Sequence, residues 1–132
     1  MKKLILLLSL IILSSCSSSS DDDSKNNNSK ETYFNPPAWI IGTWKSNYGA
    51  TLTFTKDNIT SQIGGTSESL NDEANMLKKS GAKVSVVESK TDTNYTALYK
   101  FTENTTYTYS FSKLSDSQIE STGMFSGTFT KQ

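Results

Sequence analysis

From Trp39 onward the dominant pattern of the chain is a period of two. In Ala50-Thr51-Leu52-Thr53-Phe54-Thr55 each apolar side chain is separated from the next by a threonine. The alternation recurs in Ala82-Lys83-Val84-Ser85-Val86, in Tyr95-Thr96-Ala97-Leu98-Tyr99-Lys100-Phe101 and in Thr106-Tyr107-Thr108-Tyr109-Ser110-Phe111, and Phe125-Ser126-Gly127-Thr128-Phe129 closes the series. Successive side chains of a strand point to opposite faces, so this spacing gathers the apolar groups on one side of a half-solvated sheet. Threonine, valine, tyrosine and phenylalanine also fit a pleated surface well. Turn signals at Asn47-Tyr48-Gly49, Lys56-Asp57-Asn58, Glu103-Asn104 and Ser115-Asp116 separate the runs.

The spacing predicts about eight strands, near residues 38–46, 50–55, 58–63, 82–88, 94–102, 105–112, 117–121 and 123–131. Short links between consecutive strands favour an antiparallel meander. Its apolar face has to be covered, and curling into a small barrel does so while limiting exposed edges. One segment breaks the period. Leu70, Ala74 and Leu77 recur at helical spacing, Ser69 suits the N-cap, Asp72 and Glu73 the first turn, Lys78 and Lys79 the last, and Gly81 the C′ position. This predicts one short helix between the third and fourth strands. The expected fold class is all-β, a small antiparallel meander barrel.

Composition excludes several kinds of chemistry. The chain has thirteen cations and thirteen carboxylates, every cation is a lysine, and histidine is absent. No basic face is available for nucleic acid. A histidine-based catalytic triad or metal site cannot be built, and one cysteine makes neither a disulfide nor a thiolate zinc site. Gly64-Gly65 is an isolated pair, without the lysine-bearing motif of a phosphate loop. No catalytic residues, metal ligands or cofactors are expected, and no enzyme.

The front of the chain carries a different signal. Met1-Lys2-Lys3 precedes a run from Leu4 to Leu13 in which only Ser9 is polar. A membrane-spanning helix needs about 20 apolar residues and this run is about half that, so it reads as the charged and apolar regions of a secretory signal peptide. The only cysteine, Cys16, follows directly in Leu13-Ser14-Ser15-Cys16. That tetrad resembles the lipobox of bacterial lipoproteins. The resemblance implies a signal peptide over residues 1–15 and a lipidated Cys16 as the first mature residue, anchored to membrane by acyl chains. Residues 16–35, rich in serine, aspartate and asparagine, are expected as a tether reaching about 20–25 Å from the lipid, with the folded domain over 36–132. The aspartates behind Cys16 resemble the sorting signal of Gram-negative lipoproteins displayed outside the outer membrane; the alternative is a plain solvated linker.

At Ile40-Ile41-Gly42-Thr43-Trp44-Lys45 the chain resembles lipocalin-like proteins, whose Gly-x-Trp motif opens the first strand and whose tryptophan closes one end of the barrel. Gly42 and Trp44 match it. The Tyr-x-Tyr-x-Phe runs and the terminal Gly127-Thr128-Phe129-Thr130 look like later strands of small bacterial lipocalin-like lipoproteins. The arginine that stacks on the motif tryptophan in many lipocalins has no counterpart, since the chain contains none. Inward positions expected from the alternation are Leu52, Phe54, Val84, Val86, Tyr95, Tyr99, Phe101, Tyr107, Tyr109, Phe111, Phe125 and Phe129. An eight-stranded interior is either filled by side chains or holds one small ligand, so Phe54, Tyr95, Tyr99, Tyr107 and Tyr109 are candidates for core or pocket. Buried tyrosine hydroxyls need partners, either one another, backbone groups or a ligand.

These readings lead to a monomeric, non-catalytic, outer-membrane lipoprotein that binds a small apolar ligand or another envelope component. A structural or protein-interaction subunit with a filled core, or an inhibitor of an envelope complex, is the alternative.

Overall fold

The structure is a computed structural model and describes residues 29–132, so Cys16, the signal peptide and most of the tether lie outside it. Nine strands form one antiparallel sheet: β1 (Gly42–Ser46), β2 (Thr51–Thr55), β3 (Asn58–Ile63), β4 (Thr66–Ser69), β5 (Ser85–Lys90), β6 (Asn94–Lys100), β7 (Thr106–Lys113), β8 (Gln118–Gly123) and β9 (Gly127–Lys131). The order across the sheet is β4-β3-β2-β1-β9-β8-β7-β6-β5. Two meanders are therefore joined where β1 meets β9, with Trp44 opposite Lys131 and Ser46 opposite Phe129. The sheet curls into a half-barrel, a lipocalin-like β-barrel fold left open between β4 and β5.

The expectation of about eight strands is corrected by one. Strand β4, Thr66-Ser67-Glu68-Ser69, has no apolar residue and so no alternation to read. It is created by its turn. Gly64 and Gly65 both have positive φ, +56° and +86°, and Ile63 pairs with Thr66 on either side of them. Two successive positive φ values make a type I′ hairpin turn, which two glycines adopt without steric cost. The helix, α1 (Leu70–Lys79), accordingly follows the fourth strand, not the third.

The ends of α1 are built as the sequence requires. Ser69 Oγ accepts the Asp72 N–H at 3.3 Å, and Asn58 Nδ2 donates to the same oxygen at 2.8 Å. At the other end the Ala82 N–H reaches Leu77 C=O and the Gly81 N–H reaches Lys78 C=O, each at 3.0 Å, a Schellman closure. A ten-residue helix is marginal alone, and burial of Leu70 and Ala74 against the sheet supplies what propensity does not.

All twelve positions expected to point inward do so: each is either buried or packed against the buried cluster. Leu98, adjacent to this pattern, lies exposed on the other face of β6, and Met124, just beyond β8, is exposed. Fifteen apolar side chains that are at most 3 % exposed form one cluster, among them Phe34, Ile40, Trp44, Ile59 and Ile119. Among the described residues the half-barrel is thus filled by its own side chains. Phe34 shows that the end of the stretch expected as tether, residues 31–35, is instead packed onto the domain. Its hydrogen bonds run to α1 on one side and to β5 on the other, so that it straps the open side of the half-barrel.

Candidate functional site

The Gly-x-Trp pair opens β1 and sets its tryptophan in the core. Trp44 is buried, and its indole N–H donates to the Ile40 carbonyl at 2.7 Å, from the turn Ala38–Ile40 that precedes β1. The Lys131 ammonium, on β9, lies over the indole at 5.1 Å from its centroid. A lysine thus lies over the tryptophan of the motif, and it arrives through the β1–β9 pairing. Gly42 lies beside the flexible end of that lysine. Its φ is +131°, and a Cβ at that position would stand 3.1 Å from Lys131 Cε.

The five residues proposed as core or pocket do not gather into one pocket. Phe54 and Tyr95 both pack on Phe111, Phe54 edge-on at 4.9 Å and Tyr95 stacked at 6.0 Å. Tyr99 packs edge-on to Phe34 at 5.7 Å and against Phe101, which in turn meets the half-buried Tyr107 at 4.7 Å. Tyr109 packs on Phe125 at 5.5 Å. These rings are walls of a filled core.

Their hydroxyls are treated unequally. The Tyr95 hydroxyl donates to Glu88 Oε1 at 2.6 Å, a partner on β5 that the sequence did not indicate. Glu88 is inward-facing because it sits opposite the buried Ala97. Its carboxylate also accepts the Asn35 N–H at 2.8 Å and pairs with Lys90 at 2.9 Å, so one half-buried acid ties β5, β6 and the strap together. Burial, followed by the Glu88 contact, pushes the Tyr95 hydroxyl far above the usual tyrosine range.

Tyr99 Oη is also buried, yet it has no hydrogen-bond partner among the described residues, and neither has Ser121 Oγ. Two carboxylates lie toward Tyr99 and Tyr109 from the β4–α1 side. Glu68 pairs with the inward Ser61, and Glu73 is on the face of α1 that carries Leu70, Ala74 and Leu77. Burial, then Glu73 and Glu68, raise the titration of both tyrosines. Burial and Glu68 in turn raise that of Glu73. Both carboxylates belong to the β4–α1 side of the opening, and the two tyrosines stay neutral and protonated.

The most elaborate polar construction lies along the strap. Asn71 and Asn75, one turn apart on α1, face residues 31–33. Asn75 Oδ1 accepts the Glu31 N–H at 2.8 Å, and Asn71 Oδ1 accepts the Tyr33 N–H at 2.8 Å. Both amide groups donate to the Glu31 carbonyl, at 3.0 Å from Asn71 and 2.8 Å from Asn75. The spacing of these asparagines within a helix was visible in the sequence, but their partner was not. Surface hollows flank the strap, one of about 440 Å³ between Pro37–Trp39 and Lys90–Asp92, another of about 330 Å³ beside Lys30, Asn58 and Asn71. Among the described residues no cluster of three acidic, histidine or cysteine side chains is arranged to hold a metal ion, and no helix is long and apolar enough to cross a membrane.

Comparison with protein-family models, with curated proteins and with solved structures gave no match to this chain.

Proposed function

We propose that this protein is a lipid-anchored outer-membrane lipoprotein that works without catalysis, binding another envelope component through its surface. The observation that carries the binding mode is the filled interior: Phe34, from the chain's own N-terminal strap, occupies the space between sheet and helix where a carrier would hold its cargo. Binding is then left to the outside. The convex face offers an apolar row there. Val87 and Leu98, 63 % and 40 % exposed, are opposite each other on β5 and β6, Leu98 is opposite Thr108 on β7, and the Met124 N–H bonds to the Thr108 carbonyl. The anchoring part rests on the lipobox-like Leu13-Ser14-Ser15-Cys16.

Mass spectrometry of the mature protein tests the anchor directly, with an acylated Cys16 expected as first residue. Cys16→Ser should release the protein from the membrane fraction; unchanged membrane retention of that variant refutes the anchor. A second reading places a small apolar ligand inside the half-barrel, and the hydroxyls of Tyr99 and Ser121, which have no partner among the described residues, favour it. It requires Phe34 to move.

A further inference from the structure

Residues 31–35 are held by their backbone. Bonded N–H groups occur at Glu31, Tyr33 and Asn35, the period of an extended chain, and each is answered by a side chain: Asn75, Asn71 and Glu88. The Glu31 carbonyl accepts from both asparagines, and the Asn35 carbonyl accepts from Lys90. Two primary amides at i and i+4 on α1 and an acid–base pair on β5 thus do for this segment what a neighbouring strand would do. Three side chains of the segment are engaged. Phe34 is buried against Tyr99, Tyr33 packs on the core and donates its hydroxyl to Glu31, and Glu31 pairs with Lys78. Backbone bonds with one anchoring pocket are how domains bind extended peptides of varied sequence.

None of residues 31–35 belongs to the sheet. Residues 29 and 30 before them are exposed, and the Lys30–Asp72 and Glu31–Lys78 pairs are solvent-exposed ion pairs, which hold weakly. The strap can leave its cleft without breaking a single strand pairing, and the cleft keeps its donors and acceptors when it does.

We propose that the cleft between α1 and β5 is a docking groove for an extended peptide of a partner protein, an acidic residue three positions ahead of an aromatic one, kept shut by the chain's own residues 31–35. This rests on the interaction role proposed above and names its partner's chemistry. The occupant in cis competes at high effective concentration, so the groove's apparent affinity is set by how often the strap is away. Displacing the strap also moves the attachment point of the chain that leads to Cys16.

The test is fluorescence anisotropy with a labelled peptide of residues 29–36, Ser-Lys-Glu-Thr-Tyr-Phe-Asn-Pro, titrated with the full mature chain. Glu31→Lys, an exposed change that sets like charges against Lys78 and removes the acceptor of the Tyr33 hydroxyl, loosens the strap without altering Phe34. It should bind the peptide about tenfold more tightly than the unaltered chain. Asn75→Ala added to Glu31→Lys should remove most of that gain, and a scrambled peptide should not bind. Phe34→Ala, which empties the aromatic pocket, gives a second opened form if it folds, as circular dichroism shows. Absence of saturable binding to Glu31→Lys overturns the proposal, as does equal binding of the scrambled peptide or indifference to Asn75→Ala. Self-association of Glu31→Lys that the peptide does not reverse assigns the groove to a second copy and also overturns it. Failure of the anchoring role would appear separately, as membrane retention of Cys16→Ser, and leaves the peptide result standing.

Discussion

Tyr95 and Tyr99 stand four residues apart on β6, point the same way and are equally buried, yet loss of their hydroxyls should have opposite effects. Tyr99 Oη is removed from water and bonded to nothing among the described residues. A buried, unpaired polar group costs about 1–3 kcal/mol, so Tyr99→Phe returns part of that, less a small loss of packing around the missing oxygen. We expect a gain of about 1 kcal/mol, which in a domain of this size raises the melting temperature by about 4–8 °C. Tyr95→Phe instead removes a 2.6 Å bond to the Glu88 carboxylate. A hydrogen bond to a charged group contributes about 1.5–3 kcal/mol, and its loss should lower the melting temperature correspondingly. Thermal and urea unfolding of the two variants beside the unaltered chain provides the comparison. Two destabilised variants of similar size would refute the reasoning, because they would mean that Tyr99 has a partner in solution or that both hydroxyls act only through packing.

Other consequences follow from the same contacts. Gly42→Ala should destabilise by about 1–3 kcal/mol through its positive φ, and should do so in a Lys131→Ala background as well, since the flexible lysine end is not the main obstacle. Lys131→Met, which keeps the stem but not the charge over Trp44, should cost no more than about 1 kcal/mol, measured by urea unfolding at low and high salt. Tyr95, Tyr99 and Tyr109 all hold their protons more tightly folded than unfolded. Their contribution is therefore complete below the ordinary tyrosine value of 10.0 and is lost as pH rises above it. In an alkaline titration followed by ultraviolet absorbance, these three of the six tyrosines should ionise together with unfolding and not before.

What could be read from the sequence was whatever leaves a periodic trace. The alternation places Leu52, Phe54, Tyr95, Tyr99, Tyr109, Phe111 and Phe129 in the core, and the caps of α1 stand where Ser69 and Gly81 put them. The unread parts share one property: their bonds join side chains to backbone or to distant strands. Thr66–Ser69 is a strand because of the glycine turn before it and its pairing to β3, although none of its residues favours burial. The strap follows no apolar pattern because α1 and β5 hold much of it by the backbone, and the adjacent Tyr33 and Phe34, which do not alternate, are what mark it as part of the domain. Lys131 meets Trp44 only because β9 pairs with β1. Glu88, a charged residue in an alternating strand, is inward-facing through its register against Ala97.

Titration of the full mature chain with a fluorescent hydrophobic probe tests most directly whether the half-barrel is filled by its own side chains. The unaltered protein should show no saturable uptake, with uptake appearing in Phe34→Ala if that variant folds. Saturable one-to-one binding by the unaltered chain, displaced by a lipid extract, would contradict the filled interior and make the protein a carrier.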